Sequence, residues 1–356
     1  MRLFGRIVII FACFAVFAAP FGRVGNPSGP AWTAWTQKPE LTHNIDFAVI
    51  GDSRSHSDIS PRILSEVWAS QSALKGYNFS VDGTDVLHHI SFASHALLES
   101  EHKPKFIIWT PHPLQFDGNR SNNRLEELVS PNVTPLVDIG SYIKAGAPIE
   151  FLLDVITKSL FSPWEHRSMM AEKMSEHMVA AGLHTLPYQQ RFLGLTVVPE
   201  VEGRTYLFEA DGQSPFIVLS NGQERFDRGV TVYRYDYENL KLSEWHFELA
   251  KMLAKKAAAA HVTLIILELP VAPWFQENLL ENRKHLAWRA RMKEIALAEG
   301  AIYIDHSRFY SQRENFGDPG HLVKFAADDY SKSLAKILAE DPKIQKLMQS
   351  TAKDSK

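Results

Sequence analysis

Ser53, Asp318 and His321 are the residues whose types and spacing point to chemistry. Phe47-Ala48-Val49-Ile50 runs straight into Gly51-Asp52-Ser53-Arg54, an apolar stretch ending in a turn that bears a serine. Near the other end, Asp318-Pro319-Gly320-His321 sets an aspartate three residues before a histidine. A serine hydroxyl is a weak nucleophile until a base takes its proton, and the base needs an acid to fix its tautomer. A fold that joins these two segments gives a Ser-His-Asp system for acyl transfer. Asp52 reads as an orienter of the turn, and Asp305 as the reserve acid. The plainer readings are that Ser53 caps a helix and that His321 faces solvent. The two blocks together favour chemistry over either.

The oxyanion formed in such a reaction needs preorganised N–H donors. Ser53 supplies its own backbone N–H. Gly83 is a second candidate, because a residue without Cβ lets a backbone N–H approach closely. Its plainer reading is a turn glycine. Trp109-Thr110-Pro111-His112-Pro113 contains no asparagine, and His112 or Thr110 is the candidate third donor.

These residues need a scaffold that brings them to one edge. Strands are expected at Asp46 to Ile50, Tyr77 to Val81, Lys105 to Trp109, Val262 to Leu267 and Ile302 to Ile304. Helical spacing marks Ile59 to Ala69, Val86 to Leu98, Leu240 to Ala260, Asn278 to Ala298 and Leu322 to Ala339. Alternating strands and helices with short connections predict an α/β fold, a five-stranded parallel sheet in a flavodoxin-like three-layer sandwich. The carboxyl ends of its strands would carry Ser53, Gly83, the 110–113 segment and the Asp318–His321 loop together.

The rhythm breaks between strand three and strand four. Residues 114–237 read as an α+β insertion. Helices are expected in it at Phe151 to Leu160 and Ser168 to Ala181. Strands are expected at Leu193 to Val198, Thr205 to Phe208 and Val230 to Tyr233. Trp164, Tyr188, Tyr206 and Phe208 are aromatic enough to stack on sugar rings, although packing in the core is their plainer role. The domain spans 44–340, and the lysine-bearing tail 341–356 reads as frayed.

With 356 residues, a formal net charge of -3 and 45% hydrophobic residues, the composition is that of an ordinary globular chain with no footprint for nucleic acid. Residues 1–22 read as a signal peptide or signal anchor. Arg2 and Arg6 precede an apolar run over 7–21 that would tether the body to the membrane. Residues 23–43 form a linker. The single cysteine, Cys13, lies in the apolar run, so the body has no thiol nucleophile and no disulfide. No glycine-rich nucleotide motif occurs, and adjacent His88 and His89 cannot face one way on a helix. No cofactor and no metal are expected.

The blocks Gly51-Asp52-Ser53, Asn78-Phe79-Ser80-Val81-Asp82-Gly83 and Asp318-Pro319-Gly320-His321-Leu322 resemble those of the SGNH (GDSL-like) hydrolase superfamily. The resemblance covers about 44–113 and 238–340. It departs at the family's asparagine block after strand three. The apolar N-terminus, Arg54 after the serine and Phe316-Gly317 before the last block are most similar to exported, membrane-anchored members that accompany O-acylation of bacterial cell-surface polysaccharides. The resemblance implies a serine-dependent acyltransferase or esterase, with acetyl as the group transferred or removed, at the periplasmic or extracytoplasmic face. It implies an acyl donor and a polysaccharide acceptor as partners, with a membrane-bound O-acyltransferase beside them. Two other classes stay open, an inactive adaptor on the same fold and a simple exported carboxylesterase.

Overall fold

Five apolar runs form one sheet. They are β1 (Phe47–Gly51), β2 (Gly76–Asn78), β3 (Phe106–Thr110), β4 (Thr263–Glu268) and β5 (Ile302–Asp305). In the computed structural model, which describes residues 45–70, 73–118, 138–160 and 222–354, every pairing is parallel and the order is β2-β1-β3-β4-β5. This is the flavodoxin-like three-layer sandwich expected from the sequence. Strand order reverses between β1 and β3, so the chain leaves these neighbours toward opposite edges. A crevice opens at their carboxyl ends, where doubly wound folds place ligands.

Helices cover both faces. α1 (Ser53–Asp58) and α2 (Pro61–Trp68) follow β1, and α3 (Val86–Phe92), prolonged by a π-helical turn at Ala93–Leu98, follows β2. Between β3 and β4 lie α4 (Ile139–Ala145), α5 (Ile149–Leu160), α6 (Gly222–Asn239) and α7 (Glu244–Ala259). α8 (Pro273–Asn278) and α9 (Arg283–Glu299) precede β5, and α10 (Lys324–Glu340) and α11 (Pro342–Asp354) follow it. Side chains alternate along each strand, which splits the core in two. Ala48, Ile50, Ile107, Trp109, Leu264 and Ile266 pack under α3, α7 and α9. Phe47, Val49, Phe106, Ile108, Ile265 and Leu267 pack under α2, α10 and α11. Burying a large apolar side chain in this way stabilises the fold by about 1.5–3 kcal/mol each.

The insertion is closed at its base. Asp117 bridges Leu242 in antiparallel fashion, Gly118 N donates to Lys241 O at 2.8 Å, and Ser243 N donates to Phe116 O at 2.9 Å. Of its expected elements, the helix over Phe151 to Leu160 is present within α5. Ser168 to Ala181, Leu193 to Val198, Thr205 to Phe208 and the aromatic residues Trp164, Tyr188, Tyr206 and Phe208 lie outside the described residues. So do residues 1–44, with the apolar run. Among the described residues no helix is long and apolar enough to cross a membrane.

Two expectations are corrected. Val230 to Tyr233 is not a strand but part of α6. Its β-branched residues favour a strand locally, yet Phe226, Tyr233 and Tyr237 recur at helical spacing and meet buried partners on one side, and packing overrides propensity. The tail is not frayed at its start. Pro342 opens α11, and Ile344 and Met348, four residues apart, are buried against the core. Boundaries also shift. The helix expected from Leu240 begins at Glu244, because Leu240 and Leu242 are spent on packing and on the bridge to Asp117. The one expected over Asn278 to Ala298 is divided, with Asn282 capping the second part by accepting from Lys284 N at 2.9 Å.

Candidate active site

The turn after β1 is built to hold a serine. Asp52 is the N-cap of α1, where its Oδ1 accepts from Arg54 N at 3.1 Å and its carbonyl accepts from His56 N at 3.0 Å. Gln115 Nε2 donates to its other carboxylate oxygen at 2.9 Å. Ser55 Oγ donates to Ser80 Oγ at 2.8 Å, and Asn78 Nδ2 reaches Ser55 O at 2.8 Å and Ile59 O at 2.9 Å. Thus β2 and the loop after it anchor the short helix that carries Ser53. Gly51 lies so close to the β3 edge that an added Cβ would collide with Thr110 Oγ1 and Ser55 Oγ.

The last loop brings the base. Phe316 bridges Leu322, and Gly317 N donates to His321 O at 2.9 Å, closing the loop on itself. Asp318 Oδ1 accepts from Gly320 N at 2.9 Å and from His321 N at 3.1 Å. Its two oxygens face His321 Nδ1 at 2.8 and 3.0 Å, and His321 Nε2 lies 2.9 Å from Ser53 Oγ. A carboxylate on Nδ1 makes that nitrogen the donor and turns Nε2 toward the hydroxyl. The structure therefore brings Ser53, His321 and Asp318 into one hydrogen-bonded chain, as the spacing predicted.

Helix α6 presses on this loop from the insertion. Arg225 Nε lies 3.8 Å from Asp318 Oδ2, and a Cβ at Gly229 would stand 2.6 Å from Pro319 Cδ. A further carboxylate sits beneath. Asp58 Oδ1 accepts from Ser57 Oγ at 2.7 Å and from Leu322 N at 3.1 Å, while Oδ2 is buried without a hydrogen bond.

These contacts set the charges. Burial opposes ionisation of Asp318, but the charge and hydrogen bond of His321, the Gly320 N–H and Arg225 outweigh it and bring the carboxyl down to about 2. Burial likewise opposes charging of His321. Asp318, with Asp58 and Asp52 behind it, wins and lifts the imidazole to about 9. Asp58 goes the other way, pushed up to about 7 by burial despite the nearby His321 charge. A base must be neutral to act, so if His321 serves as one, the imidazolium present below about 9 would suppress reaction. The rate of Ser53 modification is expected to climb with pH and level off above about 9. Asp58→Asn removes a charge that favours the imidazolium and should move the midpoint to lower pH. A pH series of single-turnover labelling rates checks both. A rate independent of pH between 6 and 10 contradicts this assignment of His321.

The remaining candidates fall as follows. Gly83 has left-handed backbone (φ 74) in the turn after β2, and the loop is pinned by Thr84 Oγ1, which donates to Val81 O at 2.6 Å. Thr110 Oγ1 points back to Ile50 O at 3.4 Å and serves the sheet. His112 is wedged against Tyr233, Tyr237 and Phe275, with Nδ1 accepting from Leu114 N at 3.4 Å and Nε2 at 3.4 Å from the Tyr237 hydroxyl. Asp305 is held by Ser307 and lies 3.4 Å from Arg289, and it is Asp318 that meets His321. Sequence reasoning missed Gln115, Asp58 and Arg225. Gln115 was within reach, being the one amide that follows β3 before Asp117. Asp58 reads as an ordinary helix-end acid, and Arg225 arrives from the far end of the insertion. Among the described residues no group of three His, Cys, Asp or Glu is placed to hold a metal ion.

No protein-family model matches the chain, and no curated protein matches it.

Proposed function

We propose that the chain is a serine-dependent acyl-ester transferase or esterase of the SGNH type, acting on a cell-surface polysaccharide outside the cytoplasm. The observation that carries the reaction class is the Asp318–His321–Ser53 hydrogen-bonded chain. The polymer, the acetyl group and the membrane-bound acyltransferase as partner rest on the resemblance of the sequence blocks.

In this reading neutral His321 takes the Ser53 proton on Nε2 while Oγ attacks the ester carbonyl. Asp318 balances the imidazolium, and the N–H groups of Ser53 and Gly83 receive the oxyanion. Collapse returns the proton from Nε2 to the departing alcohol and leaves an acyl-serine. A sugar hydroxyl, or water, then repeats the steps in reverse, giving its proton to His321 and taking the acyl group.

The test is fluorophosphonate labelling of the full chain in nonionic detergent, read by mass spectrometry, followed by acetyl transfer from an aryl acetate with and without polysaccharide. An adduct on Ser53 that requires His321, and acetate found on the polymer, are expected. A chain unlabelled at Ser53 from pH 6 to 10 overturns the reading.

A further inference from the structure

The loop that bears His321 has little with which to hold itself. Gly317-Asp318-Pro319-Gly320-His321 contains two glycines, and its proline has no N–H to donate. Asp318 must nevertheless keep one carboxylate on Gly320 N, His321 N and the imidazole together. One side of the loop is fixed by the segment after β4, where Ala272 N donates to Pro319 O at 3.0 Å. Another side is met by α6.

The meeting follows the helix period. Arg225, Gly229 and Tyr233 stand four residues apart, one above another on a single face of α6. They meet Asp318, Pro319 and Gly320 in turn. The two surfaces are reciprocal. Where the helix lacks a side chain, at Gly229, the Pro319 ring fills the space, and a Cβ there would stand 2.6 Å from Cδ and 3.5 Å from Asp318 Cβ. Where the loop lacks one, at Gly320, the Tyr233 hydroxyl takes the place that a Cβ would need. The helix itself is firmly seated. Phe226 and Val230 pack in the core that holds Phe316 and Leu322 at the two ends of the loop, and Tyr233 and Tyr237 pack around Phe275. Arg313 lies over the Phe226 ring at 3.6 Å and donates to Phe316 O, a second tie between helix and loop. Surfaces packed this closely pass a displacement on, because there is no void to absorb it.

We propose that α6 is the template that sets the Asp318–His321 loop, with Gly229 and Tyr233 as positioning residues that act through Pro319 and Gly320. The insertion after β3 thereby completes a site whose Ser53, Asp318 and His321 all lie outside it. That a shifted loop slows a reaction rests on the acyl-transfer reading, whereas the fit of helix to loop does not.

The test reads two quantities in the full chain in nonionic detergent. One is amide hydrogen exchange over residues 316–323, where the Gly320 and His321 amides report the placement of Asp318. The other is the rate of fluorophosphonate labelling at Ser53. Alanine is a better helix former than glycine, so Gly229→Ala should leave α6 itself intact and put the strain on the loop. Ordinary carbon contacts are about 3.5–4.0 Å, so the Pro319 ring must retreat by about 1 Å. Exchange of the loop amides should quicken about tenfold or more. Labelling should slow by roughly 10²-fold, and aryl acetate turnover should fall in kcat with KM little changed. Pro319→Ala in the same chain removes the ring that the new Cβ strikes and should recover most of both losses. Gly320→Ala should likewise be recovered in part by Tyr233→Phe, and this pair decides the matter if Gly229→Ala does not fold. The proposal is overturned if a folded Gly229→Ala chain exchanges as the parent does, or if neither second substitution recovers what the first one cost. A parent chain unlabelled at Ser53 would sink the acyl-transfer reading and leave exchange to judge the template, whereas sound labelling with unmoved exchange would sink the template alone.

Discussion

Ser53→Ala should reduce aryl acetate turnover to the level of the solution reaction, a loss of roughly 10⁴–10⁶-fold in kcat. His321→Ala should cost about as much, and the double variant no more than either, because nucleophile and base act as one unit. Asp318→Asn should cost about 10⁴-fold. An amide cannot balance the imidazolium and allows the wrong tautomer on Nδ1. Ser53 has little to lose structurally, since its hydroxyl contact is with His321. Thermal unfolding of Ser53→Ala should therefore match the parent, and the activity loss would be chemical. A Ser53→Ala chain that keeps its turnover would place the reaction elsewhere on the molecule.

Gly51→Ala is expected to damage both stability and chemistry. The new Cβ would enter space filled by Thr110 Oγ1 and Ser55 Oγ, and both groups are fixed by neighbours. Overpacking of this kind costs about 1–3 kcal/mol. The strain is relieved only by moving the turn that bears Ser53 or the edge of β3. A displacement near 1 Å at a reacting atom lowers rates by about 10²-fold. Urea unfolding and fluorophosphonate labelling measured together would show the two losses in one variant. Gly140→Ala is the control. Nothing lies within 4 Å of its Cβ position on exposed α4, so it should be neutral or mildly stabilising. Equal behaviour of the two variants would refute the close approach at Gly51.

The sheet was legible because its strands are buried on both faces and read as continuous apolar runs such as Phe47 to Ile50 and Leu264 to Leu267. The three residues of the hydrogen-bonded chain were legible for the same reason, as each follows directly on a readable strand or precedes a readable helix. What the sequence concealed depends on contacts between distant segments. Val230 to Tyr233 carries a strand composition, and only its partners in the loop that bears His321 and around Phe275 make it helical. The burial of Ile344 and Met348 required knowing that α10 and the core beside it would receive them.

Ser53 and His321 stand 268 positions apart along the chain and 2.9 Å apart in space. At ribosomal speeds of about 5–20 residues per second, the serine would exist for roughly 13–54 s before its base is even synthesised. On the acyl-transfer reading it is for that interval an ordinary alcohol, with no base to take its proton. The molecule thus carries its own delay. On the acyl-transfer reading, a chain that stops before Asp318 and His321 carries Ser53 with no base to activate it.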